Sequence, residues 1–140
     1  MERTVERTTE IRIRGYHVDF YGHVNNARYL EFIEEARWAL LGDNVDFGEW
    51  MRKGISFFVV NINITYKRPA FLGETIEIRS GITKFGNKSV TLNQKIFLKG
   101  TDTLIADADV IFVITDTSGK PARIEGAILA MFKPLVAQEI

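Results

Sequence analysis

The residues best suited to chemistry stand together in "DFYGHVNNARYLEF", positions 19–32. Asp19, His23, Asn25 and Asn26 crowd into a short span, with Gly22 among them. Beyond Asn26 the apolar residues recur at three- and four-residue steps, the spacing of a helix. A helix start presents backbone N–H groups without internal partners and a partial positive charge. Asn25 or Asn26 suits the N-cap, and Gly22 lets the chain turn sharply into the helix. Read structurally, the cluster is a well-capped loop. One cap needs only one polar side chain, however, and several are present. Read chemically, a carboxylate beside free helix amides is a useful pair. The amides hold a developing oxyanion, while Asp19 serves either as a nucleophile or as a general base for water. His23 then orients water, hydrogen-bonds Asp19 or merely caps. Tyr29, one turn beyond Asn25, is expected to pack in the core before it touches substrate.

Other chemistries are weaker. The chain has no cysteine, which removes disulfides, thiolate metal sites and cysteine nucleophiles. His17 and His23 are spaced like neither a helical metal pair nor a zinc site. "NIT" at Asn63 and "NKS" at Asn87 match the glycosylation acceptor by chance, since the first falls in an expected strand. "GITKFGNKS" opens no helix after a strand, so it is not a phosphate loop. Neither a metal nor an organic cofactor is expected.

The elements that must position the cluster follow from periodicity. "TEIRIR", residues 9–14, alternates as a short first strand with Ile11 and Ile13 on one face. The helix runs over 26–41 through Tyr29, Phe32, Ile33, Ala36 and Leu40, with Gly42 as its cap. "DFGEWMRKG", 46–54, reads as a short second helix. "FFVVNINITYKRPA" then alternates, which turns Phe58, Val60, Ile62, Ile64 and Tyr66 to one face until Pro69 stops the strand. Further strands run through Ile76, Ile78 and Ile82, through Val90, Leu92, Ile96 and Leu98, and from Leu104 to Ile114. A turn at Gly86–Asn87 joins the first two. A closing turn and short helix end the chain.

Strands joined by short connections pair antiparallel. Such a sheet needs a cover for its apolar face, and the only long amphipathic element is the helix. The expected class is α+β, a five-stranded antiparallel sheet wrapped around one long α-helix. One helix covers five strands thinly, so an exposed edge is expected to pair with a second copy.

The 140 residues suit one domain spanning 1–140. Eighteen basic and 18 acidic residues balance, which argues against nucleic-acid binding through a basic surface. No apolar run is long enough to span a membrane. "MERTVERTTE" has no apolar core, so it does not read as a signal peptide, and a cytoplasmic location is expected.

The residues also resemble a known family. "DFYGHVNNARYLEFIEEAR" resembles the active-site segment of hotdog-fold thioesterases of the 4-hydroxybenzoyl-CoA thioesterase type, and is similar to the acid-to-helix motif of acyl-ACP thioesterases. "ITYKRPAFLGETIEI" and "FGNKSVTLNQKIF" resemble the next strand and hairpin of the same family, in the same order. The likeness covers roughly residues 8–116. It implies the hotdog fold, the arrangement that periodicity reaches separately, and an acyl-CoA thioesterase that forms a homodimer or a dimer of dimers.

By position, the resemblance makes Asp19 the catalytic carboxylate and the backbone N–H near Asn26 the donor that polarises the thioester. His23 matches a histidine found in part of the family. Tyr21 stands where the acyl-ACP branch has an asparagine. Gly22, Asn25 and Tyr29 fall beside the substrate. Family pockets lie between subunits, so Val59, Val60 and Asn61 of one chain are expected to face Asp19 of the other. Phe32, Phe57 and Phe58 join Val59 and Val60 as candidate walls for the acyl chain. The phosphates of CoA call for basic residues: Arg68, Lys84 and Lys95 are candidates, and Lys88 with Ser89 matches the family hairpin best. Two alternatives use the same fold. A dehydratase or hydratase would place its histidine five residues after the aspartate, where this chain has Val24. A non-catalytic acyl-CoA-binding module would not need Asp19.

Overall fold

The computed structural model describes residues 7–137. Residues 1–6, most of the charged N-terminal stretch, lie outside the described residues. Five strands and three helices follow in the order β1 (Thr8–Arg12), α1 (Asn26–Gly42), α2 (Phe47–Arg52), β2 (Ser56–Tyr66), β3 (Thr75–Phe85), β4 (Val90–Leu98), β5 (Leu104–Thr115) and α3 (Gly126–Phe132). The strands form one sheet in the order β1-β3-β4-β5-β2, antiparallel at every step. The chain therefore crosses from one edge of the sheet at β2 back to β3. The apolar face of α1, with Tyr29, Phe32, Ile33, Ala36, Leu40 and Leu41, is buried with the inward residues of the strands in one core cluster. This is the hotdog arrangement.

The alternation of β3, β4 and β5 sets Ile76, Ile78, Leu92, Ile96, Val110, Phe112 and Ile114 at full burial beneath the helix. Burying each such side chain stabilises the fold by about 1.5–3 kcal/mol. Two inward positions that face each other are polar, Ser80 on β3 and Gln94 on β4. Gln94, fully buried on β4, donates from Nε2 to the Ile33 carbonyl in mid-helix at 2.9 Å and to Ser80 Oγ at 3.0 Å. Its Oε1 accepts from Arg37 Nη1 at 3.2 Å. Both ends of the amide are thus satisfied, as a buried polar group requires.

Three sequence expectations change. Gly42 is the last residue of α1 and Asp43 takes the C-cap position. The first strand ends at Arg12, although Ile13 just beyond it is buried as expected. The alternation expected for β2 is broken. Val59 pairs with Phe112 and Asn61 with Ile111, so Val60 is the extra residue of a bulge. Phe57, opposite Ile114, therefore turns inward, with its ring 4.5 Å from that of Phe112. Phe58 and Val60 are left exposed on an edge strand.

Candidate active site

Asp19 and His23 are held by a small hairpin. Val18 and Val24 bridge antiparallel. Between them the Asp19 N–H donates to the His23 carbonyl, and the Gly22 N–H to the Asp19 carbonyl, both at 3.0 Å. Gly22 closes this turn at φ 82°, a conformation that a Cβ disfavours. The Asp19 carboxylate accepts the Tyr21 N–H at 2.8 Å through Oδ1, and its Oδ2 lies 3.8 Å from His23 Nδ1. Neither side chain is deeply buried, so water reaches both. The His23 ring stacks on Tyr21 and meets the edge of Phe71, which fixes its plane.

The hairpin delivers the chain into α1 under restraint. The Val24 N–H donates to the Ala70 carbonyl at 2.9 Å and the Asn25 N–H to the His17 carbonyl at 3.2 Å. Asn25 is the N-cap, and its side chain accepts the Ala27 N–H at 2.9 Å. The Arg28 N–H bonds to the Asn25 carbonyl. Of the first three helical amides, Asn26 alone keeps an N–H with no partner among the described residues. A cleft of about 300 Å³ opens there, lined by His23, Val24, Asn26, Tyr29, Tyr66, Lys67, Arg68 and Pro69. Asp19 joins it through His23.

Tyr29 is almost fully buried, and its hydroxyl accepts the Ala70 N–H at 2.9 Å. Burial is the main reason its pKa is raised above the ordinary value. Arg68 lines the cleft but is already engaged by Glu74, with hydrogen bonds of 3.2 and 3.0 Å. That bond is the chief cause holding the Glu74 carboxyl below its ordinary pKa. His17, beneath the cap, accepts the Arg14 N–H through Nδ1 at 2.9 Å, and burial lowers its pKa.

Other expected residues lie apart within one chain. Lys88 and Ser89 sit in the turn at the far end of β3, a strand of 11 residues, from the cleft. Lys84 is near that same end, and Lys95 pairs with Asp107 at 3.7 Å. Val59 lies with Phe57 and Phe58 in a second, mostly apolar cleft of about 210 Å³, with Glu34, Arg37, Trp38, Leu41 and Phe47. Val60 and Asn61 are exposed on β2, and Phe32 is core. Tyr66, Lys67 and Glu74 were not singled out from sequence. The Tyr66 hydroxyl donates to the Asn26 carbonyl at 3.1 Å. The one signal for these three is their place in "TYKRPAFLGE", which crosses between strands beside the helix start.

The chain as a whole has counterparts among known proteins. Residues 13–132 match the model of the thioesterase-like superfamily. The long-chain acyl-CoA thioesterase FadM of Escherichia coli is 45% identical over 130 residues, 91% of this chain and 98% of that protein. The acyl-CoA thioester hydrolase YbgC of Escherichia coli is 30% identical over 126 residues, 88% of this chain and 92% of that protein. The crystal structure of YbaW, a probable thioesterase of Escherichia coli, superposes with a TM-score of 0.87 at 42% identity, covering 94% of this chain and all of that one. The chain belongs to the thioesterase-like superfamily.

Proposed function

We propose that this chain hydrolyses acyl-CoA thioesters to a carboxylic acid and free CoA thiol, and that its reaction centre is the cleft at the start of α1. The observation that carries the site is Asn26, whose N–H has no partner among the described residues and which lines that cleft with His23, itself 3.8 Å from the Asp19 carboxylate. The thioester oxygen sits on the amide and gains charge as its carbon becomes tetrahedral. A fixed donor of this kind is worth about 3 kcal/mol in the transition state. Asp19 either attacks the carbonyl carbon, expelling the CoA thiolate and leaving an acyl-enzyme anhydride for water to open, or takes a proton from the attacking water. His23, with its plane fixed by two rings, orients that water or Asp19. Lys67 and Arg68 lie where CoA phosphates would pass.

The likeness to FadM supports long acyl chains as substrates. A second copy along β2 is part of the same reading. That edge strand exposes Phe58, Val59 and Val60, and the partner would bring Val59, Val60 and Asn61, and the Lys88–Ser89 turn, toward a cleft they do not reach within one chain. The cysteine-free composition fits a cytoplasmic setting. Among the described residues no helix is long and apolar enough to cross a membrane.

The test is a panel of acyl-CoAs with free thiol as the readout. Wild-type protein should release thiol. Asp19→Asn keeps the shape of the side chain but removes its charge, and should lower kcat by about two to four orders of magnitude with little change in KM. Full activity in the variant would move the site elsewhere.

A further inference from the structure

The second cleft is walled by hydrocarbon but holds two opposite charges. Trp38, Leu41, Phe47, Phe57, Phe58 and Val59 supply the apolar surface, and Glu34 and Arg37 the polar groups. Arg37 is only 8% exposed. Its guanidinium carries five N–H donors, and the single hydrogen bond it makes among the described residues goes to Gln94 Oε1. Glu34 stands one helical turn earlier, yet no ion pair joins it to Arg37 among the described residues. No Arg37 nitrogen is sealed from solvent without a partner among the described residues, so the donors that Gln94 leaves over are open to the cleft and can meet an acceptor arriving there.

Both clefts lie along one seam, between α1 and the edge strand β2. At one end Tyr66 of β2 touches Asn26, and at the other Phe57 and Val59 lie near Arg37 and Trp38. From Asn26 to Arg37 is 37 − 26 = 11 residues of a single helix, about 16 Å at 1.5 Å per residue. That is the reach of an extended acyl chain of about a dozen carbons whose carbonyl rests on the Asn26 amide.

We propose that this cleft receives the distal part of the acyl group and that Glu34 and Arg37 select chains carrying a hydroxyl there. The inference rests on the reading of the chain as an acyl-CoA hydrolase. A hydroxyl accepts from the Arg37 guanidinium and donates to the Glu34 carboxylate, so both charges gain a partner. A plain alkyl end displaces water from Arg37 and offers it no acceptor in return. A terminal carboxylate satisfies Arg37 but faces Glu34 with like charge. Discrimination through a polar contact of this kind exceeds what one methylene supplies, because the penalty falls on the unpaired protein group.

The test compares kcat/KM for plain, ω-hydroxy and ω-carboxy acyl-CoAs of matched length, from about ten to sixteen carbons, the span that brackets the helix distance. Wild-type protein should favour the ω-hydroxy chain over the plain one by about tenfold or more at some length in the series. Arg37→Met and Glu34→Leu should each bring that ratio to within about twofold. Glu34 is exposed, so its variant reads the effect even if Arg37→Met fails to fold. Plain chains hydrolysed as fast as hydroxylated ones at every length would overturn the inference while leaving the hydrolase reading intact. So would a hydroxyl preference that survives Glu34→Leu. Fastest turnover of the ω-carboxy chain would overturn the hydroxyl assignment in favour of an anion. Failure to release thiol from any acyl-CoA would overturn the hydrolase reading and the inference with it.

Discussion

At the scale of single residues, the surroundings of the α1 N-terminus divide into groups already committed to structure and groups left available. Asn25 is spent on its cap, Gly22 on its turn and Tyr29 on the Ala70 amide. The Asn26 N–H, the outer face of Asp19 and the His23 ring remain. His17 belongs to the committed set and gives this region a pH dependence. Burial holds its pKa below the ordinary 6.5, so the folded state binds the proton less readily than the unfolded one. Where the unfolded chain binds more protons, stability rises with pH. The contribution of His17 is therefore complete above 6.5 and is lost as pH falls from there toward the lowered value. Thermal unfolding between pH 7.5 and 5 should show a declining Tm, on the order of a few degrees. His17→Asn should flatten that part of the curve. A variant whose Tm falls as steeply as the wild type would assign the effect to another group. Glu74 acts lower in the range. Its depressed pKa gives stability that is present above 4.5 and is lost as pH falls through the folded value.

At the scale of elements, the helix was legible because its apolar residues kept a period that a buried stripe demands, and the Asp19–His23 turn because so many polar types met at one boundary. The register of β2 was not legible. A bulge adds a residue without changing residue type, so "FFVVNINI" alternates on paper in a way the pairing does not follow. Gln94 was passed over for a related reason: alternation expects an apolar residue there, and its partners lie 14 and 61 residues away. Tyr66 and Glu74 were hidden likewise, because their value depends on contacts made across the fold. β3 offers a check on packing. A Cβ at Gly81 would lie 2.7 Å from the Cα of Ala137, where the C-terminal segment crosses the strand and donates to the Ile82 carbonyl. Gly81→Ala should destabilise the protein by about 1–3 kcal/mol, read as a lower denaturant midpoint with an unchanged slope. An unchanged midpoint would mean that the terminal segment gives way at no cost.

At the scale of the whole molecule, the sheet has two edges of unequal character. β1 has five residues and β2 has 11, and β2 carries exposed Phe58, Val59 and Val60 without the charges that usually blunt an edge. Val60→Lys places a charge where the proposed partner strand would lie. The variant should sediment as a smaller species than the wild type at equal concentration and should lose thioesterase activity, while its far-UV circular dichroism stays native. Unchanged sedimentation of an active variant would remove β2 from the interface.

The interior amide of Gln94 gives this fold something that hydrocarbon packing does not. An oily stripe slid along its axis by one turn meets another oily surface at little loss, whereas the Ile33 carbonyl and the Arg37 guanidinium meet Gln94 at only one setting. The sheet therefore acts as a detent for the helix. The place where Asn26 comes to rest is fixed from almost two turns away, by a side chain that no substrate touches.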